Sequence, residues 1–183
     1  MRLFAGIELD AATREACVRA QDQLRDAAFE ARYEAAEKLH ITLAFLGQVD
    51  AQRVREVEDA IDTVAAATQP FTLTLDKLGA FPHERRPRVI FVGARAHGAS
   101  FRNLATALRG HYETLGFSFA DDAVAHVTIA RHKGGSARPL PMLDIAAAQV
   151  AIGAIVLFES VPEKQTTRYV VRHRAPLGRD ATT

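Results

Sequence analysis

Apolar and polar residues alternate along several short segments of the chain, while other segments repeat an apolar residue at every third or fourth position. Alternation predicts strands, and the longer repeat predicts amphipathic helices. Asp10 stands directly before the first helical segment, where its carboxylate is expected to cap a free backbone N–H. The predicted elements are a strand at 2–9, a helix at 11–30, a strand at 40–46, a helix at 51–67, strands at 71–81 and 88–94, a helix at 98–115, and strands at 124–131, 150–159 and 168–176.

The two halves of the chain repeat the same order of elements, with a polar loop from Pro82 to Pro87 between them. Strands that follow one another without long crossovers favour an α+β fold with antiparallel sheets. We therefore predict a single domain over residues 1–183, built as two lobes of 1–85 and 86–183. Two antiparallel sheets related by a pseudo-twofold axis would carry helices on the outside and enclose a central cleft.

One short pattern occurs once in each half, as His40–Leu43 (HITL) and as His126–Ile129 (HVTI). Both copies fall on predicted strands, whose side chains point alternately to opposite faces. Each histidine therefore shares a face with the threonine two positions later, roughly 7 Å away. Pairing the two halves would bring both strands together and gather two imidazoles and two hydroxyls in the cleft.

Histidine titrates near neutral pH, so two histidines can divide the work of a general base and a general acid. Hydrolysis of a phosphodiester needs both, because a water loses a proton while the leaving oxygen gains one. The hydroxyls of Thr42 and Thr128 can donate hydrogen bonds to the phosphate oxygens. The guanidinium of Arg131 also suits phosphate. Strict alternation puts Arg131 on the opposite face, unless the end of its strand bends.

Other interpretations of the histidines compete with catalysis. A single histidine in a strand is most often a hydrogen-bonded structural residue, although two copies in corresponding halves favour a catalytic role. A zinc site at His40 and His126 is disfavoured, because no cysteine or carboxylate stands at ligand spacing. No metal and no cofactor are expected, and the chain has no glycine-rich phosphate-binding loop pattern.

Composition limits the partners and the compartment. The net charge is +1, so contact with RNA has to come from local basic patches at 85–88, 131–138 and 168–174. Cys17 is the single cysteine, which excludes an internal disulfide and fits a reducing compartment. No apolar run is long enough to cross a membrane, so a cytoplasmic protein is expected. A monomer is expected because no apolar helix or coiled-coil heptad is left unassigned. The aromatic residues that could stack on a base, with core packing as the commoner role, are Phe4, Tyr33, Phe81 and Phe158.

Around and between the two motifs the chain carries five recognisable segments: RLFAGIEL at 2–9, LHITLAFLG at 39–47, LGAFP followed by RPRVIFVG at 78–93, HVTIAR at 126–131, and VLFES at 156–160. In this order, and over nearly the whole chain, they resemble the RNA 2′,3′-cyclic phosphodiesterases. That family, once called 2′-5′ RNA ligases, is part of the 2H phosphoesterase superfamily.

The resemblance implies a bilobal α+β fold and metal-independent hydrolysis of an RNA terminal 2′,3′-cyclic phosphate to a 2′-phosphomonoester. It implies that His40 is the proton donor to the leaving 3′ oxygen and that His126 is the proton acceptor from water. Thr42 and Thr128 would hold the phosphate, and Arg131 would contact phosphate or base. The implied partners are RNA ends or cyclic nucleotides, including the halves of a cleaved tRNA.

The chain departs from the family pattern at two places. Ala125 precedes the second histidine where proline is common, and residues 32–36 (RYEAA) stand where tryptophan and proline are common. The histidines and threonines of both motifs are intact, so these changes concern the edges of the substrate site. Two alternatives to hydrolysis are open: reversible 2′-5′ RNA ligation by the same site, and a non-catalytic module that binds RNA ends.

Overall fold

The computed structural model describes residues 1–96, 98–132, 138–164 and 166–178. Residues 133–137, in the middle of the predicted basic patch at 131–138, lie outside these ranges. Two one-turn 3₁₀ helices occupy Ala36–Lys38 and Ala51–Arg53. The strands and helices are β1 (Arg2–Glu8), α1 (Ala11–Asp26), β2 (Arg32–Tyr33), β3 (His40–Gln48), α2 (Val54–Ala67), β4 (Phe71–Leu75), β5 (Lys77–Phe81), β6 (Val89–Gly93), α3 (Ala99–Thr114), β7 (His126–Arg131), β8 (Ala148–Ile152), β9 (Ala154–Glu163) and β10 (Thr166–Pro176).

The strands within the described ranges form one large sheet and one small one. The large sheet has the order β10-β9-β1-β3-β7-β6-β5, and the short β2 pairs with β7. β4 and β8 form a separate two-stranded sheet. Every strand pair described in these sheets is antiparallel. The predicted α+β class with two antiparallel sheets is confirmed.

Strands from the two halves of the chain interleave in the large sheet. β9, from the second half, lies beside β1, whereas β5, from the first half, lies at the opposite edge beside β6. A boundary between residues 85 and 86 therefore does not divide the sheet into two lobes. The weakest junction in the sheet falls between β3 and β7, which share a single residue pair. The pseudo-twofold relation between whole lobes stays a prediction.

Two predicted strands are each divided into two shorter strands. In both cases the first of the two shorter strands belongs to the small sheet. The strand predicted at 71–81 is interrupted at Asp76, so that β4 pairs with β8 while β5 pairs with β6. The carboxylate of Asp76 accepts a hydrogen bond from the backbone N–H of Arg95 at 2.8 Å, which fixes the break. The strand predicted at 150–159 is interrupted at Gly153 in the same way. Asp76 and Gly153 therefore mark the points where the chain passes from the small sheet (β4 and β8) to the large sheet (β5 and β9).

The helix α1 begins at the predicted cap and ends earlier than predicted. The carboxylate of Asp10 accepts a hydrogen bond from the backbone N–H of Thr13 at 2.7 Å, and this bond lowers the pKa of Asp10. The helix ends at Asp26 because Ala28 adopts a left-handed conformation, with φ of 53°. Cys17 is fully buried on the inner face of this helix. No helix within the described ranges is long and apolar enough to cross a lipid bilayer.

One hydrophobic core lies between the three described helices and one face of the large sheet. Ile41 and Leu43 of β3 belong to this core, and so do Val127 and Ile129 of β7. The histidine and threonine of each motif alternate with these residues, so they project from the opposite, helix-free face. That second face carries its own small buried cluster, formed by Phe4, Val156 and Phe158 with Tyr169 packed against it.

Candidate active site

The two motif strands are neighbours in the large sheet. Ile41 of β3 pairs with Val127 of β7, and each is the residue between the histidine and the threonine of its motif. In an antiparallel register this pairing places each histidine across from the threonine of the other motif. The structure therefore brings together the four side chains that the sequence predicted to share a site.

Each motif strand contains an extra residue three positions after its histidine, and β3 contains a second one at Leu46. At the shared position β3 has Leu43, which the register with β1 skips, and β7 has Ile129, which the register with β6 skips. Such a β-bulge shifts the alternation by one residue, so that the positions beyond it change face. The bulges therefore turn Phe45 and Arg131, each five residues after its histidine, towards the motif face.

Arg131 lies on the motif face, so the expectation from strict alternation is wrong and the end of the strand does bend. Arg131 pairs with Val89, which shares a face with Phe91 two residues later in β6. The ring of Phe91 lies 5.3 Å from the ring of His126, measured between centroids. Arg131 is thus on the same side of the sheet as the second motif, where its Nε donates a hydrogen bond to Oε1 of Glu34 at 3.0 Å.

Phe45 is an exposed aromatic residue on the motif face, and it was not among the aromatic residues predicted to stack on a base. It pairs with Phe4 across β1, and the centroids of the two rings are 5.7 Å apart. The ring of Phe4 in turn lies 4.8 Å from that of His40. Phe4 is only 3% exposed, whereas Phe45 is 68% exposed. Phe45 therefore offers an open apolar surface beyond His40.

Both imidazoles are held in the same way. Nδ1 of His40 lies 2.6 Å from the carbonyl oxygen of Lys38, and Nδ1 of His126 lies 2.8 Å from that of Val124. A carbonyl can only accept, so Nδ1 carries the hydrogen in each ring and Nε2 is the nitrogen that titrates. Nε2 of His40 is 3.1 Å from the hydroxyl oxygen of Thr42, which donates to the neutral ring.

Aromatic rings surround each imidazole. Tyr169 meets His40 edge-on at 5.2 Å, and Phe81 meets His126 edge-on at 5.2 Å. Phe91, stacked on Phe81 at 4.5 Å, lies across Gly79 so closely that a Cβ there would be 2.6 Å from its ring. Glycine is therefore required at that position to let Phe91 reach His126.

The pKa of His40 is lowered from the ordinary histidine value. Burial of the ring is the largest cause, because it disfavours the charged imidazolium, and the positive charges of His126 and Arg131 act in the same direction. The hydrogen bond to the carbonyl of Lys38 and the negative charge of Glu34 oppose the shift. The balance of these effects therefore favours the neutral form of the His40 ring.

Several residues that the sequence offered as binding candidates have structural partners instead. Phe4 and Phe158 are buried, stacked on each other at 5.0 Å. The hydroxyl of Tyr33 donates to the carbonyl of Phe29 at 2.7 Å, and the guanidinium of Arg25 covers its ring. In the patch at 168–174, three arginines pair with carboxylates: Arg168 with Glu163, Arg172 with Glu159, and Arg174 with Glu8.

Phe81, one of the aromatic residues predicted to stack on a base, borders a cavity. It lines this cavity, of about 320 Å³, together with Lys77, His83 and Phe91. Val124, whose carbonyl oxygen orients His126, lines the same cavity. The cavity therefore lies directly beside the second motif. Among the described residues, no group of three or more His, Cys, Asp or Glu side chains is arranged to hold a metal ion.

Comparisons with known proteins relate this chain to one family in sequence and in fold. The family model for "LigT like Phosphoesterase" matches residues 7–91, which include the first motif. An RNA 2′,3′-cyclic phosphodiesterase of Archaeoglobus fulgidus is 34% identical over 135 residues, covering 73% of this chain and 73% of its own. Among solved structures, a Thermus thermophilus protein superposes with a TM-score of 0.80 at 28% identity, over 97% of this chain and 98% of its own.

A second solved structure extends the comparison to a liganded protein. E. coli LigT in complex with 3′-AMP has a TM-score of 0.78 and 27% identity, again over 97% of this chain and 98% of its own. The similarity thus spans nearly all of both chains, well beyond the segment that the family model matches. The chain belongs to the LigT-like phosphoesterase family.

Proposed function

We propose that this protein hydrolyses the terminal 2′,3′-cyclic phosphate of RNA to a 2′-phosphomonoester, without a metal ion, by acid and base catalysis from His40 and His126. The observation that carries the proposal is the pairing of Ile41 with Val127, which sets the two motifs side by side. The names of the family's curated relatives, RNA 2′,3′-cyclic phosphodiesterases, support the same substrate.

In the proposed reaction His126 accepts a proton at Nε2 from a water molecule, whose oxygen forms a new bond to phosphorus. The bond from phosphorus to the 3′ oxygen breaks, and His40 donates a proton from Nε2 to that oxygen. The protons then exchange with solvent to restore both rings. The choice of His40 as the acid follows the family resemblance, because the Nδ1 atoms of both rings are held alike.

The lowered pKa of His40 is compatible with a role as proton donor. Burial of the ring disfavours the imidazolium and lowers the pKa of His40. A phosphate anion next to the ring favours the charged form and raises the pKa. His40 would therefore become protonated when the substrate binds.

The remaining side chains would hold the substrate. The hydroxyl of Thr42 is within hydrogen-bond reach of His40, so both groups can meet one phosphate. Thr128 would donate from the opposite strand, and the guanidinium of Arg131 would supply positive charge. Phe45 would offer its exposed ring to the base of the terminal nucleotide, since every base has a flat apolar face.

The proposal is tested by incubating the protein with an oligonucleotide that ends in a 2′,3′-cyclic phosphate, in the presence of EDTA, and identifying the product by mass and by chromatography against 2′- and 3′-phosphate standards. We expect the 2′-phosphate, at a rate that the chelator does not change. A 3′-phosphate product, loss of activity with EDTA, or no turnover would each contradict the proposal.

A further inference from the structure

The backbone of Glu34 is hydrogen-bonded to the bulge of β7. Its N–H donates to the carbonyl oxygen of Ile129, the extra residue of that bulge, at 2.9 Å. The side chain of Gln21, on α1 and only 3% exposed, donates from Nε2 to the carbonyl oxygens of both Glu34 and Ile129 at 2.8 Å. The position of Glu34 is therefore set by the same feature that turns Arg131 towards the motif face.

The carboxylate of Glu34 is largely withdrawn from water, yet it has a charged partner. Its side chain is 16% exposed, and Oε1 accepts the hydrogen bond from Nε of Arg131, whose side chain is 53% exposed. The guanidinium compensates the negative charge of this carboxylate where water is largely excluded. The bond uses Nε, so the two terminal nitrogens of the guanidinium fork are not needed for it.

The negative charge of Glu34, which is paired with Arg131 beyond the second motif, also acts on groups beside the first motif. It opposes the lowering of the His40 pKa by burial, and together with burial, which is the larger cause, it raises the pKa of Tyr169. His40 and Tyr169 meet edge-on at 5.2 Å, although they belong to different strands. A phosphate held between the motifs would therefore lie in the field of this carboxylate.

The substrate and the product of the proposed reaction differ in charge. A cyclic phosphodiester carries one negative charge, whereas a phosphomonoester carries about −1.5 to −2 at pH 7. A fixed negative charge repels a ligand in proportion to the charge of that ligand. A carboxylate beside the phosphate position therefore disfavours the monoester more than the diester.

We propose that Glu34 is a positioning residue that holds the Arg131 guanidinium beside the phosphate, and that its charge selects the singly charged cyclic diester over the doubly charged product. This inference rests on the proposed function for the identity of the two ligands. It gives the site a means of releasing its product, because the bond cleavage itself creates the charge that Glu34 repels.

The test compares two ligands that differ chiefly in charge and lack the 3′ hydroxyl that transesterification would need: 3′-deoxyadenosine 2′-phosphate and its methyl ester, at pH 7.5. Their dissociation constants are measured by isothermal titration calorimetry with the wild-type protein and with Glu34→Gln, which keeps an oxygen acceptor for Arg131 but removes the charge. We expect the variant to bind the methyl ester about threefold tighter and the monoester about tenfold tighter, because the effect scales with ligand charge. Equal changes for both ligands, or none, would overturn the proposal.

Two further variants separate charge selection from other effects. Glu37→Gln removes the same charge from an exposed residue three positions later, and we expect both dissociation constants to stay at the wild-type values. Glu34→Ala removes the acceptor as well, and we expect a higher KM for the cyclic substrate than in Glu34→Gln, because Arg131 loses its partner. If Glu37→Gln reproduced the charge effect, or if Glu34→Ala matched Glu34→Gln in KM, the role given to Glu34 would be wrong.

This inference and the proposed function fail in different ways. Turnover of the cyclic phosphate by the wild-type protein tests the function alone. The two calorimetric ligands do not react, so their affinities report on Glu34 whether or not turnover occurs. Turnover with an unchanged ratio of affinities in Glu34→Gln would overturn only the role of Glu34, and a changed ratio without turnover would overturn only the reaction.

Discussion

Phe45 and Arg131 occupy the same position in the two motif strands, five residues after the histidine and two beyond a β-bulge. The site therefore repeats its histidines and threonines but differs at its two ends. One end presents an exposed apolar ring and the other a cation paired with Glu34. A nucleotide has the same asymmetry, with a flat base at one end and an anionic phosphate at the other.

The exposed ring of Phe45 gives a prediction about substrate affinity. We expect Phe45→Ala to raise the KM for nucleoside 2′,3′-cyclic phosphates about tenfold, equivalent to about 1.4 kcal/mol of lost stacking, with little change in kcat. Phe45→Tyr keeps the aromatic surface and should behave as wild type. Steady-state kinetics check this, with the cyclic phosphate of a ribose without a base as the control substrate. An equal rise in KM for the substrate without a base would contradict a stacking role.

The two histidines should differ when the leaving group no longer needs a proton. We expect His40→Ala and His126→Ala each to lose about 10²- to 10⁴-fold in rate on a 2′,3′-cyclic phosphate. A p-nitrophenyl phosphodiester has a leaving group that departs without protonation, so His40→Ala should recover most of its rate on that substrate. His126→Ala should remain slow on both, because water still has to be activated. Recovery in His126→Ala instead would reverse the assignment of acid and base.

The protonation of His40 should depend on the ligand. Its pKa is lowered chiefly by burial, so in the free protein the ring should lose its proton at a pH below the ordinary value for histidine. A bound phosphate stabilises the imidazolium, which moves the titration upwards. NMR titration of the imidazole with and without inorganic phosphate measures both values. A titration at or above the ordinary value in the free protein would contradict the burial argument.

Gly79 should be intolerant of a side chain because of Phe91. A Cβ at Gly79 would lie 2.6 Å from the Phe91 ring, which is stacked on the ring of Phe81. We expect Gly79→Ala to lower the free energy of unfolding by about 1–3 kcal/mol and to reduce kcat by displacing Phe91 against His126.

A second glycine provides the control for this substitution. Gly110 lies within α3 and has open space around it, so Gly110→Ala should raise the free energy of unfolding by about 0.5–1 kcal/mol. Urea denaturation measures both variants. Restored stability in the double variant Gly79→Ala with Phe91→Leu would identify the ring as the cause, whereas an unaffected single variant would show that Phe91 can move aside.

Cys17 should be inert towards thiol reagents in the folded protein. Burial raises its pKa to about 12, and its side chain is fully buried on the inner face of α1. We expect no reaction with Ellman's reagent at pH 8 in native buffer and complete reaction of one thiol in denaturant. Fast modification of the native protein would mean that α1 opens readily.

Much of the fold was predictable because the periodicity of the chain follows burial closely. The repeat of Val57, Ile61 and Val64 marks the buried face of α2, and Asp10 marks the start of α1. The breaks at Asp76 and Gly153 were not predictable in the same way. Alternation runs from Phe71 to Leu75 and lapses at Asp76 and Lys77, whereas residues 150–158 form one apolar run without alternation. Neither pattern shows that the two halves of each predicted strand pair in different sheets.

The sequence predicted that the two motif strands lie side by side, but it did not predict all of the residues that surround them. The bulges at Leu43 and Ile129 had a signal in the sequence: HITLAF and HVTIAR share two consecutive apolar residues after the threonine, which breaks the alternation. That longer repeat could have placed Phe45 and Arg131 on the motif face. Glu34 had no such signal, since its contact with Arg131 joins residues 97 positions apart.

The interleaved order of the strands links the site to the completion of the chain. Phe158 of β9 and Tyr169 of β10 enclose the ring of His40, although that histidine belongs to the first quarter of the sequence. When only the first motif has emerged from the ribosome, Phe4 is already present beside His40, but Phe158 and Tyr169 have not yet been made. β9 and β10 are the last two described strands of the chain, so an unfinished chain contains both histidines before the aromatic surroundings of His40 are complete.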